Sequence, residues 1–140
     1  KELEIFKKNV HISSSDSVID LASGSGFYIN EIAKNNPKEI CAIDFSQKML
    51  DKIKLKKIKK INSNIEKLNL NKKFDIIFLD PPYKEKRINE LIEKIIEIKI
   101  LTPGGIIIIH RHKKDKMEIT DKIKIFDIRN YGLSRVYFAN

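Results

Sequence analysis

The stretch that decides the fold is Val18–Tyr28, VIDLASGSGFY, which passes from apolar residues through an acid and two glycines into an amphipathic segment. A short apolar run that stops at glycines is typical of a buried strand. From Tyr28 to Lys34 the apolar residues have helical spacing, and Asn35-Asn36-Pro37 ends the pattern. The stretch therefore predicts a strand, a glycine loop and a helix in succession.

The rest of the chain repeats this alternation of strands and helices. Further strands are predicted at Glu39–Asp44, around Ile58 and Ile61, at Phe74–Leu79 and in GGIIIIH, which TPGG introduces. Three further helices are predicted. The first ends within LEIFKKNV, the second runs from the N-cap Ser46 through Met49, Leu50 and Ile53, and the third covers Arg87–Ile98. KIKIFDI and SRVYFA, joined through RNYG, predict a terminal β-hairpin. Together these elements predict a doubly wound α/β domain with a mostly parallel sheet and an antiparallel hairpin at its edge.

Composition favours one globular domain. The 140 residues are 41% hydrophobic and 34% charged, and no Gly/Ser linker divides them, so we expect a single domain over residues 1–140. No apolar run reaches about 18 residues and no signal peptide opens the chain, so no membrane partner is expected. Because the chain starts at Lys1 without a methionine, we expect its natural N-terminal segment to be missing.

Charge and cysteine content restrict the partner and the compartment. The 28 basic residues exceed the 19 acids by +9, which favours nucleic acid, although an AT-rich coding bias would produce the same excess of lysine. The basic residues expected to contact RNA are Lys84, Lys86 and Arg87 beside the site, with Arg111, Lys113 and Lys114 past the fifth strand. The lone Cys41 predicts a buried thiol in a reducing, cytoplasmic compartment. His110 and His112 have no cysteine partners at metal-ligand spacing, so no metal is predicted.

The glycine loop Ala22–Gly26 is predicted at the carboxyl edge of the sheet, where open parallel sheets bind ligands. Gly24 and Gly26 allow the backbone to approach a ligand closely. The loop lacks the third glycine of a dinucleotide fingerprint and the Gly-Lys-Ser/Thr of a P-loop. A carboxylate at Asp20 suits a cationic ligand such as a sulfonium amino acid. A plain strand-to-helix turn is the alternative.

Two further polar residues follow predicted strands. Asp44 ends the second strand about 20 residues beyond the glycines, where an acid can bind ribose hydroxyls. The alternative to ribose binding is that Asp44 is simply an acid near the N-terminus of the helix that Ser46 caps. Asn64, after the third strand, is a candidate for a hydrogen bond to an adenine edge.

The sequence Asp80-Pro81-Pro82-Tyr83 follows the fourth strand and is predicted at the same edge. Two prolines make a rigid turn and remove two N–H donors, which leaves carbonyls and the Asp80 carboxylate as acceptors. Acceptors suit a planar exocyclic amine, whose lone pair becomes nucleophilic as its nitrogen pyramidalises. Catalysis would then come from positioning and electrostatics, and Tyr83 offers a ring on which a base can stack.

With these motifs in order, DLASGSG, AIDFSQKML, FDIIFLDPPY and LTPGGIIII, the sequence resembles class I S-adenosylmethionine-dependent methyltransferases over nearly the whole chain. FLDPPY before a helix and the final YG…RVYF, carried by Tyr131, Gly132, Val136 and Phe138, make it most similar to the small-subunit (16S) ribosomal RNA guanine-N2 methyltransferases, the RsmD-like family. The resemblance implies a Rossmann-like, seven-stranded methyltransferase fold.

The resemblance also implies an activity and a set of site residues. It implies transfer of a methyl group from S-adenosylmethionine to guanine N2, with ribosomal RNA or a small-subunit assembly intermediate as partner, by a monomer. The implied catalytic residues are Asp80, Pro81, Pro82 and Tyr83. The implied cofactor-binding residues are Asp20, Ala22, Gly24, Gly26, Asp44, Phe45 and Asn64.

Four other functions share parts of this pattern. An adenine-N6 nucleic-acid methyltransferase would share Asp80–Tyr83, but it normally needs a target-recognition region that 140 residues barely accommodate. A glutamine-amide protein methyltransferase would typically carry Asn in place of Asp80. A small-molecule methyltransferase of the same fold remains an alternative. A cofactor-free RNA-binding module is disfavoured by the intact Asp20, Gly24, Gly26 and Asp44.

Overall fold

The computed structural model describes residues 7–8, 10–24, 26–81, 87–116 and 118–140. The strands of its sheet are β1 (Ser17–Leu21), β2 (Glu39–Asp44), β3 (Lys59–Asn62), β4 (Phe74–Leu79), β5 (Leu101–His112), β6 (Ile125–Tyr131) and β7 (Ser134–Ala139). The helices are α1 (Phe27–Ala33), α2 (Gln47–Asp51) and α3 (Ile88–Ile98), with a 3-10 turn at Ile65–Lys67.

The seven strands form one sheet in the order β3-β2-β1-β4-β5-β7-β6. Strands β1 to β5 are parallel to one another, whereas β7 is antiparallel to both β5 and β6. The predicted fold class, a mostly parallel sheet with a C-terminal antiparallel hairpin, is confirmed. The chain reverses its direction of winding between β1 and β4, so the carboxyl ends of these strands flank the crevice where such sheets bind ligands.

Each face of the sheet carries its own apolar layer. On the first face, which we call the α1 face, Val18, Phe78 and Ile108 pack with Tyr28 and Ile29 of α1. On the opposite face, the α3 face, buried residues of the same strands pack with α3, among them Ile19, Ile77, Ile109, Ile88 and Ile92. Alternate residues of a strand point to opposite faces. Because both faces are covered, β1 and β4 read as nearly continuous apolar runs.

Three predicted boundaries are wrong. Strand β5 begins at Leu101 instead of at the glycines, since Leu101 already pairs with Phe74 ahead of a register shift. Helix α2 ends at Asp51, so Ile53 lies beyond it, although its side chain is buried. The hairpin turns at Gly132, whose φ of 53° is left-handed, because Arg129–Tyr131 still pair with β7.

At the N-terminus, Lys7 and Lys8 of the predicted helix end are helical, and residues 1–6 and 9 lie outside the described residues. None of the helices in the described part of the chain is both long and apolar enough to cross a membrane. Cys41 is buried in β2, and this burial raises the pKa of its thiol to about 11.

Candidate active site

Four titratable side chains on the α1 face lie at the carboxyl ends of four neighbouring strands. Each follows, by two residues, a strand residue buried in the α1-face layer, so alternation directs all four to that face. In the sheet order β2-β1-β4-β5 they are Asp44, Asp20, Asp80 and His110. We call this set the carboxyl-edge row. It occupies the crevice that the reversal of winding creates.

Asp20 lies deepest in the row. Its register partners are Ala42 and Phe78, so Asp44 and Asp80 lie one α1-face position, about 7 Å, further along their strands. The Asp20 side chain is 2% exposed, and its Oδ1 has no hydrogen-bond partner among the described residues. Burial, followed by the charges of Asp80 and Asp44, raises the pKa of Asp20 well above its ordinary value. A buried carboxyl in this position favours a ligand that brings a positive charge or a donor.

Asp44 ties the glycine loop to the second strand. Its Oδ2 accepts the backbone N–H of Gly24 at 2.8 Å, and its Oδ1 accepts the backbone N–H of Ser46 at 2.8 Å. The loop gains a further bond from the Ser23 N–H to the Ile43 carbonyl at 3.0 Å. A carboxylate has about four lone-pair sites, so two bonds leave Asp44 able to accept hydroxyl groups as well.

The loop, the row and α1 enclose a cleft of about 640 Å³, within the range of about 300–1,000 Å³ usual for small-molecule sites. It brings together seven of the predicted site residues, namely Asp20, Ala22, Gly24, Asp44, Phe45, Asp80 and Pro81. Phe27, Tyr28 and Met49 also line it, and sequence reasoning missed them. Phe27 begins α1 and is 55% exposed. An aromatic residue directly after the glycine loop was the available signal.

Two predicted cofactor residues are not part of the cleft wall. A Cβ on Gly26 would lie 2.8 Å from both Ile29 and Ile53, so Gly26 faces the apolar layer instead of the cleft. The side-chain oxygen of Asn64 accepts the backbone N–H of Glu66 at 3.1 Å and caps the 3-10 turn. Gly24 differs from Gly26, because a Cβ there would meet nothing within 4 Å. The contact of Asn64 with an adenine stays a prediction.

Asp80 forms the border between this cleft and a second cavity. Its Oδ1 lies 2.8 Å from Nδ1 of His110. Asp80 and Pro81 line the cleft and also a cavity of about 210 Å³, whose other walls are His110, Arg111, His112, Leu133 and Ser134. A group bound to Asp80 would therefore be reachable from the cleft and from the second cavity.

Pro82 and Tyr83, the other predicted catalytic residues, lie outside the described residues.

Sequence reasoning considered His110 only when it excluded a metal site, and it missed the pairing of His110 with Asp80. The pairing follows from the register of the sheet. Strands β4 and β5 are parallel and Leu79 pairs with Ile109, so the residues that come next, Asp80 and His110, lie side by side. Among the described residues, no group of three His, Cys, Asp or Glu side chains is arranged to hold a metal ion.

The prediction that Arg111 lies past the fifth strand is wrong, because Arg111 belongs to β5; its contact with nucleic acid stays a prediction. Alternation along β5 directs it to the α3 face, where it is 4% exposed and forms an ion pair with Asp115. Arg87 is exposed but forms an ion pair with Glu66. Lys113 and Lys114 are exposed directly after β5, whereas Lys84 and Lys86 lie outside the described residues.

Fold and site together define the class I methyltransferase fold, with its ligand cleft at the carboxyl edge of β1 and β2. Residues 4–140 match the family described as Conserved hypothetical protein 95, and the chain belongs to that family, the RsmD-like family that the motifs indicated. A stretch of 66 residues is 33% identical to the uncharacterized methylase RP545 of Rickettsia prowazekii. The match covers 47% of this chain and only 28% of that relative.

Solved structures with the same fold include a conserved hypothetical protein of Streptococcus pyogenes, with a TM-score of 0.80 at 22% identity. That match covers 98% of this chain and 93% of the other. A SAM-dependent methyltransferase of Aquifex aeolicus has a TM-score of 0.77 at 16% identity, covering 99% and 88% of the two chains. At these identities the likeness establishes the shared fold.

The two loop glycines should differ in their effect on stability. Both have a left-handed φ, so Gly24→Ala should lower the free energy of unfolding by about 1 kcal/mol through backbone strain. Gly26→Ala adds overlaps with Ile29 and Ile53, which should cost about 1–3 kcal/mol more. Denaturant unfolding of both variants measures the difference. Equal losses would show that Gly26 is not packed as described.

The raised pKa of Asp20 makes ligand-free stability depend on pH. A carboxyl whose pKa is higher in the folded than in the unfolded state stabilises the protein below about pH 4, and this contribution is lost as pH rises through the folded-state pKa. Asp20→Asn should remove the effect, so the variant's advantage in free energy of unfolding should grow as pH increases from about 4 and then level off. Denaturant unfolding at several pH values tests this. A difference that does not vary with pH would contradict the burial of a titrating Asp20.

Proposed function

We propose that this chain is an S-adenosylmethionine-dependent N-methyltransferase whose target is an exocyclic amine of a nucleobase, guanine N2 in small-subunit ribosomal RNA. The observation that carries the proposal is the position of Asp80, on the border between the 640 Å³ cleft and the second cavity. An amine held at this carboxylate would face a cofactor in the cleft while its base occupied the other side.

The residues of the cleft fit S-adenosylmethionine. Asp20 offers a buried oxygen without a partner among the described residues, which suits a cationic amino-acid group. Gly24 leaves open space where a side chain would stand, and Asp44 retains lone pairs for ribose hydroxyls. Phe45, 79% exposed at the cleft wall, offers an apolar face for an adenine ring. When bound, S-adenosylmethionine supplies a methyl group activated by its positive sulfur.

The role of Asp80 follows from the chemistry of the target. The lone pair of an exocyclic amine is delocalised into the base, so the planar amine is a poor nucleophile. A carboxylate oxygen that accepts one of its hydrogens favours the pyramidal nitrogen, in which the lone pair is localised. That hydrogen bond strengthens toward the transition state, and interactions of this kind raise turnover. Pro81, buried behind Asp80, has no N–H and so cannot compete for the carboxylate.

The choice of ribosomal RNA has two supports. Membership of the RsmD-like family favours guanine N2. The exposed Lys113 and Lys114 follow β5 at the carboxyl edge, beside the cavity that His112 lines, and the whole chain carries +9. The direct test is incubation with unmodified small-subunit ribosomal RNA and labelled S-adenosylmethionine, followed by mass mapping of nucleosides. We expect N2-methylguanosine, and methyl transfer to another amine or to none would overturn this assignment.

Asp80→Ala should separate chemistry from cofactor binding. We expect the single-turnover rate to fall at least about tenfold, equivalent to about 1.4 kcal/mol, because the bond to the amine is strongest in the transition state. The affinity for S-adenosylmethionine, measured by calorimetry, should change no more than about threefold, since Asp20, Gly24 and Asp44 remain.

The exposed Asp121, in the loop before β6, provides a control with the same loss of charge. Asp121→Ala should keep the wild-type rate. A folded Asp80→Ala variant that binds cofactor and methylates at the wild-type rate would show that the amine is not held at this carboxylate.

Affinity for ribosomal RNA should fall steeply with salt, because each phosphate contact releases counterions. The double variant Lys113→Ala/Lys114→Ala should reduce the slope of log affinity against log salt by about 1 to 2. The matched control is Lys38→Ala/Lys73→Ala, two exposed lysines that precede β2 and β4 at the opposite edge of the sheet. Binding titrations over a salt series provide the measurement. Identical slopes for the two double variants would show that the excess of basic residues reflects composition and that Lys113 and Lys114 do not contact RNA phosphates.

A further inference from the structure

His110 is fixed against Asp80 by the sheet itself. Strands β4 and β5 are parallel and pair Leu79 with Ile109, so the next residue of each strand lies beside the other on the α1 face. Nδ1 of His110 lies 2.8 Å from Oδ1 of Asp80, and the two side chains are 19% and 29% exposed. A carboxylate oxygen accepts, so Nδ1 carries the hydrogen and donates it.

The imidazole ring is held from its other side by α1. Its centroid lies 5.9 Å from that of the Tyr28 ring, and the Tyr28 ring lies 4.8 Å from that of Phe78. Tyr28 is buried and lines the cofactor cleft, whereas His110 lines the second cavity. His110 is thus packed between the two spaces that the proposed reaction uses, and its ring has little freedom to turn away from Asp80.

This arrangement gives the two oxygens of Asp80 different tasks. Oδ1 accepts the hydrogen bond from His110, and the lone pairs of Oδ2 can accept a hydrogen from the target amine. An aspartate side chain turns easily about its last bond, and a rotated carboxylate would not direct a lone pair at the target amine. Misplacement of a reacting group by a small distance is costly, because catalysis of this kind depends on alignment.

We propose that His110 is a positioning residue for methyl transfer, which donates its Nδ1–H to Oδ1 of Asp80 and so directs Oδ2 toward the exocyclic amine. The inference rests on the proposed function and adds a residue to it. His110 does not itself touch the reacting atoms. Its effect passes through the orientation of one carboxylate, so loss of the Nδ1–H donor should lower the rate of the chemical step beyond any effect that loss of the ring has on RNA binding.

The test compares His110→Asn with His110→Leu. The two replacement side chains have nearly the same shape, and both remove the contact of the ring with Tyr28. Only asparagine keeps an N–H donor near the position of Nδ1. The single-turnover rate on unmodified small-subunit ribosomal RNA is measured at saturating S-adenosylmethionine, together with the dissociation constants for both ligands and the thermal midpoint. If His110→Leu does not fold, His110→Ala takes its place.

We expect His110→Asn to remain within about threefold of the wild-type rate and His110→Leu to be about tenfold slower than His110→Asn. The dissociation constants of the two variants should agree with each other within about twofold, because both lose the same ring from the wall of the second cavity. Equal rates for the two variants, whether fast or slow, would overturn the inference, as would a slower His110→Leu whose loss lies wholly in RNA affinity. A wild-type protein that binds RNA but transfers no methyl group would instead overturn the proposed function.

Discussion

The candidate site depends on one geometric constraint, the combination of parallel strands with the two-residue alternation of their side chains. Parallel strands end at a common edge, and alternation allows one face to carry a titratable side chain from each. Asp44, Asp20, Asp80 and His110 therefore lie in sheet order on the α1 face although they are far apart in sequence. A shift of one residue in any of these strands would move its member to the α3 face.

The same constraint places the carboxyl groups of Asp20, Asp44 and Asp80 close together, and the effect is largest on the pKa of Asp20. Burial and the charges of Asp80 and Asp44 raise its pKa, so the ligand-free site is less stable than an apolar one would be. Asp44 relieves the crowding through two backbone N–H donors, which also hold the glycine loop in place. His110 relieves the crowding at Asp80 through the N–H of its side chain. A cationic ligand at Asp20 would satisfy the oxygen that has no hydrogen-bond partner among the described residues.

The elements that could be predicted are those with local causes. The β1 strand, the glycine loop and the acids at strand ends follow from apolar runs and the residues that stop them. The orientation of Gly26 could not be predicted, because it depends on Ile53, which is distant in sequence. The pairing of His110 with Asp80 depends on the register of β4 with β5, and a bulge near Phe74 alters that register. Arg111 was placed past the fifth strand because charge alone shows neither where a strand ends nor which face its residues occupy.

The central claim is that Asp20, Asp44 and the glycine loop hold an adenosine-containing cofactor in the cleft, with its reactive end directed toward Asp80. A crystal structure with bound S-adenosylhomocysteine tests this most directly. The account predicts ribose hydroxyls at Asp44, the amino-acid group near Asp20 and Gly24, the adenine beside Phe45, and the sulfur directed toward Asp80. A ligand bound elsewhere, or one in this cleft with its sulfur directed away from Asp80, would contradict the account.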